Sequence, residues 1–156
     1  MNNTQERWQA AERLALALTE GGLQRMSARA LAVFLFTGQE TVTMGEIADQ
    51  LDVSAGSVSG AVKSLLSVGL IERLPAPGSR REHYRMRDDA WATLFSAQNT
   101  LTQTMLHAAE SGAKTLDADD PAHQRLIQMR DFYQFMLREI PTLLYRWQQQ
   151  QSTRFE

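Results

Sequence analysis

The densest run of chemically useful side chains lies between Ser54 and Arg87. Its cations are Lys63, Arg73, Arg80, Arg81, Arg85 and Arg87 and its only anions are Glu72 and Glu82, so six against two leave a net charge of +4. The rest of the chain sets ten cations against sixteen anions, a net charge of -6. A cationic segment on an anionic body is the pattern of a molecule that meets a polyanion with one face, although clustered arginines on a solvated face give the same count. The whole-chain net charge of -2 hides this segregation.

Catalytic chemistries find little support. With no cysteine there is no thiolate nucleophile, no thiolate metal site and no thiol redox centre. Gly56-Ser57-Val58-Ser59-Gly60 has the outline of a nucleophile elbow, but Val58 stands where a serine is required. There is no phosphate-binding glycine loop, and His83, His107 and His123 lack metal spacing. His107 and His123 with Glu110 or Asp119 make a weak metal candidate, outweighed by solvated histidines. An enzyme is therefore not expected, and neither a metal nor another cofactor. At 156 residues, 43% hydrophobic and 22% charged, the chain is expected to fold as one domain or a small domain with helical extensions. It has no apolar run of membrane-spanning length, and its start lacks a signal-peptide pattern, so a cytoplasmic protein without membrane contact is expected.

The elements around the cationic run follow from caps and periodicity. Thr4 to Thr19 reads as a helix with Trp8, Ala11, Ala15 and Leu18 on one face, ended by Gly21-Gly22. A second helix, apolar nearly all round, is expected to open at Ser27 as N-cap and end at Gly38. Thr43-Met44-Gly45-Glu46 has capping-box spacing ahead of a short helix through Leu51. After Asp52-Val53, Ser54 can cap another helix through Leu66 to Gly69. Two short helices joined by a turn form a helix-turn-helix. Leu70 to Leu74 and Glu82 to Met86, with Pro75 to Ser79 between them, read as a basic β-hairpin, which completes a winged helix.

On the second helix of that motif, Val58, Ala61, Val62 and Leu65 fall on one side. Gly56, Gly60, Lys63, Ser64 and Ser67 fall opposite, with Ser57 and Ser59 on the flanks. Gly60 costs roughly 1 kcal/mol against alanine in a helix interior, and close backbone approach to a ligand, as in a DNA major groove, explains such a choice. The expected nucleic-acid contacts are Ser54, Gly56, Ser57, Ser59, Gly60 and Lys63 on the helix, with Arg80, Arg81, His83 and Arg85 on the hairpin. Lacking Arg, Asn or Gln, the helix face should discriminate bases modestly, leaving much of the specificity to DNA shape and half-site spacing.

Downstream, a long helix is expected from Asp88 or Asp89 to Ser111-Gly112, and a last one from Asp120-Pro121, kinked at Pro141. In the last helix Leu126, Tyr133, Ile140 and Trp147 recur every seven residues, with Met129, Met136 and Leu143 between them. That seam suits helix-to-helix packing between two copies, an intramolecular bundle being the alternative. Trp8 joins these as a dimerisation candidate. Trp8, Trp91, Phe95, Met105, Phe132, Tyr133 and Met136 can also line a cavity for a small apolar or aromatic effector, although packing is the commoner role of such a set.

Three segments, Met44 to Leu51, Val53 to Ser59, and Leu65 with Val68 to Arg73, resemble the MarR (multiple antibiotic resistance regulator) family and its GbsR-like relatives. The resemblance implies a bacterial transcriptional regulator, usually a repressor, that binds double-stranded DNA as a homodimer at a pseudo-palindromic site. It also implies interlocked terminal helices and, in many members, release of DNA by a small molecule. The family's Asp-x-Arg wing element is replaced here by Gly78-Ser79-Arg80-Arg81-Glu82, with Glu82 as the available substitute for the aspartate. The expected fold is mainly α: a winged helix-turn-helix of a three-helix core and a two-stranded β-wing, flanked by long terminal helices. Residues 1–22 form an N-terminal dimerisation helix, 23–88 the DNA-binding domain and 89–156 the C-terminal dimerisation helices. A winged-helix protein-docking module without nucleic acid is the competing reading.

Overall fold

The structure, a computed structural model, describes residues 3–154. Its elements are α1 (Asn3–Glu20), α2 (Arg25–Phe36), β1 (Val42–Thr43), α3 (Met44–Leu51), α4 (Ala55–Ser67), β2 (Ile71–Leu74), β3 (His83–Met86), α5 (Ala90–Ala97), α6 (Asn99–Ala113) and α7 (Pro121–Arg154). They form a mainly helical, winged helix-turn-helix fold. Residues up to Thr93 make one compact unit and those from Leu94 a second.

In the first unit α2 is the central helix, with every residue from Ser27 to Phe34 buried except the half-buried Arg29. Small residues let α1 approach it closely: Ala11 and Ala15 meet Ala28 and Ala32, with Leu18, Leu23 and Phe36 around them. Arg29 ties the same pair of helices to α3, donating to Glu12 Oε1 at 3.3 Å and to the Leu51 carbonyl at 3.4 Å.

The two caps of the helix-turn-helix form as the sequence implies. The Thr43 hydroxyl accepts the Glu46 amide at 3.2 Å, and Glu46 accepts the Thr43 amide at 2.7 Å. Ser54 accepts the Ser57 amide at 3.3 Å. Between them Asp52 takes the left-handed conformation, φ 52°, which turns the chain from α3 into α4. Gly69 ends the turn after α4 at φ +78°, and a Cβ there would lie 2.5 Å from Thr93 Cγ2, so both backbone and space require glycine.

The wing is three-stranded. β1, too short to carry a periodicity, pairs with β3, giving the antiparallel order β1-β3-β2 with Val42 opposite Tyr84 and Ile71 opposite Met86. Ser27 is not a cap: α2 begins two residues earlier, Gln24 O accepts the Ala28 amide, and the Ser27 hydroxyl is buried without a partner among the described residues.

In the second unit α6 and α7 pack together. The expected single helix from Asp89 to Gly112 is interrupted at Gln98, whose amide bonds three residues back to Phe95 O, separating α5 from α6. α6 ends at Ala113, one residue past Gly112, and a Cβ on Gly112 would stand 3.2 Å from Leu126 Cδ1, so this glycine is the bare spot on which α7 rests. Asp120 caps α7 through the Ala122 amide at 2.7 Å. α7 has 34 residues against 15 in α6, contains Pro141, and has no buried residue.

Candidate nucleic-acid interface

α4 buries Val58, Ala61, Val62 and Leu65 and leaves Gly56, Ser57, Ser59, Gly60, Lys63 and Ser67 exposed. The apolar side packs on α2 and α3, so the opposite side is the one α4 offers outward. A Cβ built on Gly56 or Gly60 meets nothing within 4 Å. Neither glycine is therefore required by packing inside this chain. α4 contains no acidic residue, so this small-residue face carries the single charge of Lys63. Ser54 and Ser57 join hydroxyls at 3.0 Å, which commits Ser54 to capping and leaves Ser57 further hydrogen-bonding capacity.

The cations of the segment divide into two groups. Arg73, Arg85 and Arg87 are held by carboxylates: Arg85 Nε donates to Glu72 at 2.9 Å across the β2–β3 ladder, Arg87 Nε to Asp89 at 3.1 Å, and Arg73 lies 3.6 Å from Glu82. The bond from Arg87 holds the Asp89 carboxyl below its usual range. Lys63, Arg80 and Arg81 are exposed, and among the described residues none of them forms an ion pair. The cationic charge free for a polyanion is thus carried by α4 and by the wing tip. Arg85 contributes less than its position in sequence suggests.

His83 is also committed internally. Its Nδ1 lies 3.0 Å from the Thr41 hydroxyl and its Nε2 3.3 Å from the Ser79 hydroxyl. Glu82 does not take the place of the missing aspartate beside Arg80 or Arg81; it lies 3.6 Å from Arg73 and accepts the hydroxyl of the fully buried Tyr84 at 2.6 Å. Burial, reinforced by that bond, pushes the Tyr84 phenol up. The Glu72–Arg85 and Thr41–His83 contacts escape a reading of residue spacing because they depend on β-register, which sets Glu72 opposite Arg85 and Thr43 opposite His83.

The dimerisation candidates lie in both units. In the second, Leu126 rests against α6, while Met129, Tyr133, Met136 and Ile140 are half-buried and Leu143 and Trp147 exposed. Tyr145, Phe132 and Phe135, all off that seam, are 61%, 58% and 50% exposed, so bare aromatic surface of α7 lies beside the heptad stripe. In the first unit Trp8 lines a cavity of about 280 Å³ with Ala11, Val33, Phe36 and Leu51, and Arg7 and Arg29 at its edge. Among the described residues no cluster of three His, Asp or Glu side chains could hold a metal, and no helix is long and apolar enough to cross a membrane.

Comparison with known proteins agrees with this geometry. Residues 21–82 match the model of the MarR family, and residues 89–150 match that of the MmpR5-like MarR family transcriptional regulators. The HTH-type transcriptional regulator MmpR5 of Mycobacterium tuberculosis is 30% identical over 128 residues, covering 81% of this chain and 78% of that protein. A crystal structure of a transcriptional regulator superposes with a TM-score of 0.80 at 27% identity, covering 92% of this chain and 99% of the other. A MarR mutant from E. coli, complexed with operator DNA, gives a TM-score of 0.41 at 19% identity over 80% of this chain and 84% of its own. With its winged helix-turn-helix, its two family matches and a relative aligned over most of both chains, this protein belongs to the MarR family of transcriptional regulators, which are not enzymes.

Proposed function

We propose that the chain is a sequence-specific DNA-binding repressor that works as a homodimer in the bacterial cytoplasm. α4 enters the major groove and the wing tip contacts the adjacent backbone or minor groove. The observation that carries this reading is the outward face of α4, where Gly56 and Gly60 border open space and no carboxylate intervenes. Close approach of the helix backbone to something outside the fold accounts for giving up side chains there. Lys63, Arg80 and Arg81 supply the matching charge. Ser57, Ser59 and Lys63 are the groups able to donate to bases or phosphates, so discrimination rests largely on DNA shape and on the distance between half-sites.

Dimerisation follows from α7 and from the exposed aromatic residues Phe132, Phe135, Tyr145 and Trp147. A helix with so much apolar surface and no buried residue needs a cover, and a second copy of α7 is the self-complementary one. Residues 1–22 and 89–156 are assigned to this contact and 23–88 to DNA. The cavity beside Trp8 has the size and lining for a small apolar or aromatic effector. Within the family the matched relatives support an MmpR5-like placement over the GbsR-like one.

A mobility shift with fragments of the source genome in moderate salt tests the reading. Retarded fragments that share a pseudo-palindrome support it. Absence of any retarded fragment overturns it in favour of a protein-docking winged helix.

A further inference from the structure

The two free arginines of the wing sit in a loop between strands, and an arginine on a loose loop loses conformational entropy when it binds. Two anchors flank them here. On the C-terminal side Glu82 bonds to Tyr84, a side chain with no exposed surface. On the N-terminal side the Ser79 hydroxyl accepts the Arg81 amide at 3.2 Å and lies 3.3 Å from His83 Nε2. The other ring nitrogen of His83 reaches the Thr41 hydroxyl, just ahead of β1, at 3.0 Å. Hydroxyls donate or accept, so the ring bridges both partners in either tautomer.

We propose that His83 is a positioning residue for DNA binding. Its imidazole straps the wing tip to the segment before β1, so that Arg80 and Arg81 are presented by an ordered loop, and it acts through Ser79 rather than by touching DNA. The strap supplies on one side of the arginines the order that Glu82 supplies on the other. The assignment rests on the DNA-binding reading for its consequence but not for its geometry, which is testable in the free protein.

The test uses the full-length chain in three variants: His83→Ala, His83→Gln, whose amide can both donate and accept, and Thr41→Val, which removes one hydroxyl and little else. Amide hydrogen exchange of Arg81 is measured without DNA, and affinity is measured for the tightest genomic duplex selected by the wild-type protein. His83→Ala and Thr41→Val are expected to speed Arg81 exchange and weaken the duplex by about three- to tenfold, with the slope of log K against log salt unchanged. His83→Gln is expected to recover at least half of the lost exchange protection and affinity. Unchanged Arg81 exchange in His83→Ala and Thr41→Val overturns the strap, whatever the affinity does. A slope that falls by about one for His83→Ala also overturns it, because the imidazole would then be a phosphate contact. If the wild-type protein selects no duplex, the DNA reading fails while the exchange measurement still decides the strap.

Discussion

Replacing Gly60 with alanine should stabilise the protein and weaken its binding to DNA, two effects that rarely move in opposite directions. Gly60 lies within α4, and an alanine Cβ there meets nothing within 4 Å. Alanine is favoured over glycine by about 0.5–1 kcal/mol in such a position, so the melting temperature should rise by roughly 1–4 °C for a chain of this size. If α4 lies against a groove floor, the same methyl overpacks a close interface, at a cost of about 1–3 kcal/mol. That corresponds to roughly 5- to 150-fold in the dissociation constant. Calorimetry gives the first number, and fluorescence anisotropy with a selected genomic duplex gives the second. Because the variant is more stable, a loss of binding cannot be assigned to unfolding. A stabilised variant that binds as tightly as the wild type would refute the close approach of α4.

Four further outcomes follow. Replacing Arg80 and Arg81 together by alanine should weaken DNA binding several-fold or more and flatten the salt slope by up to about two; an unaltered slope would remove the wing tip from the interface. Ser54→Ala should cost about 1 kcal/mol in denaturant unfolding through loss of the α4 cap, and a change near zero would deny the cap its role. Asp89 has a depressed folded pKa, so its pair with Arg87 stabilises fully above the ordinary carboxylate pKa of about 3.9 and fades as pH falls through the lower folded value. In an NMR titration Arg87→Ala should return Asp89 to the ordinary range, and an unmoved midpoint would assign the shift elsewhere. Light scattering should report about 35 kDa, twice the 17.6 kDa chain, and Phe132→Asp with Phe135→Asp should shift the protein toward monomer; a wild-type mass near one chain would end the dimer.

What was legible in the sequence was local. Thr43 to Glu46 and Ser54 to Ser57 announce their caps because a cap is made within one turn. Alternation of apolar and small residues in α4 fixes its two faces for the same reason. The errors arose where tertiary contacts decide. Ser27 looks like a cap, but it opens the buried stretch that runs to Phe34 and lies inside the helix, which begins at Arg25. Gly112 marks the end of α6 to within one residue, but no local signal shows that Leu126 rests on it. The pairing of Arg85 with Glu72 depends on β2–β3 register, and β1, with two residues, carries no pattern by which to find its own pairing with β3.

The most direct measurement of the central claim is amide chemical-shift mapping of the full-length protein with and without a selected duplex. The account predicts that the largest changes fall at Gly56, Ser57, Gly60 and Lys63 of α4 and at Arg80 and Arg81 of the wing tip. Changes confined to α7 or to the cavity beside Trp8, with α4 silent, would contradict it.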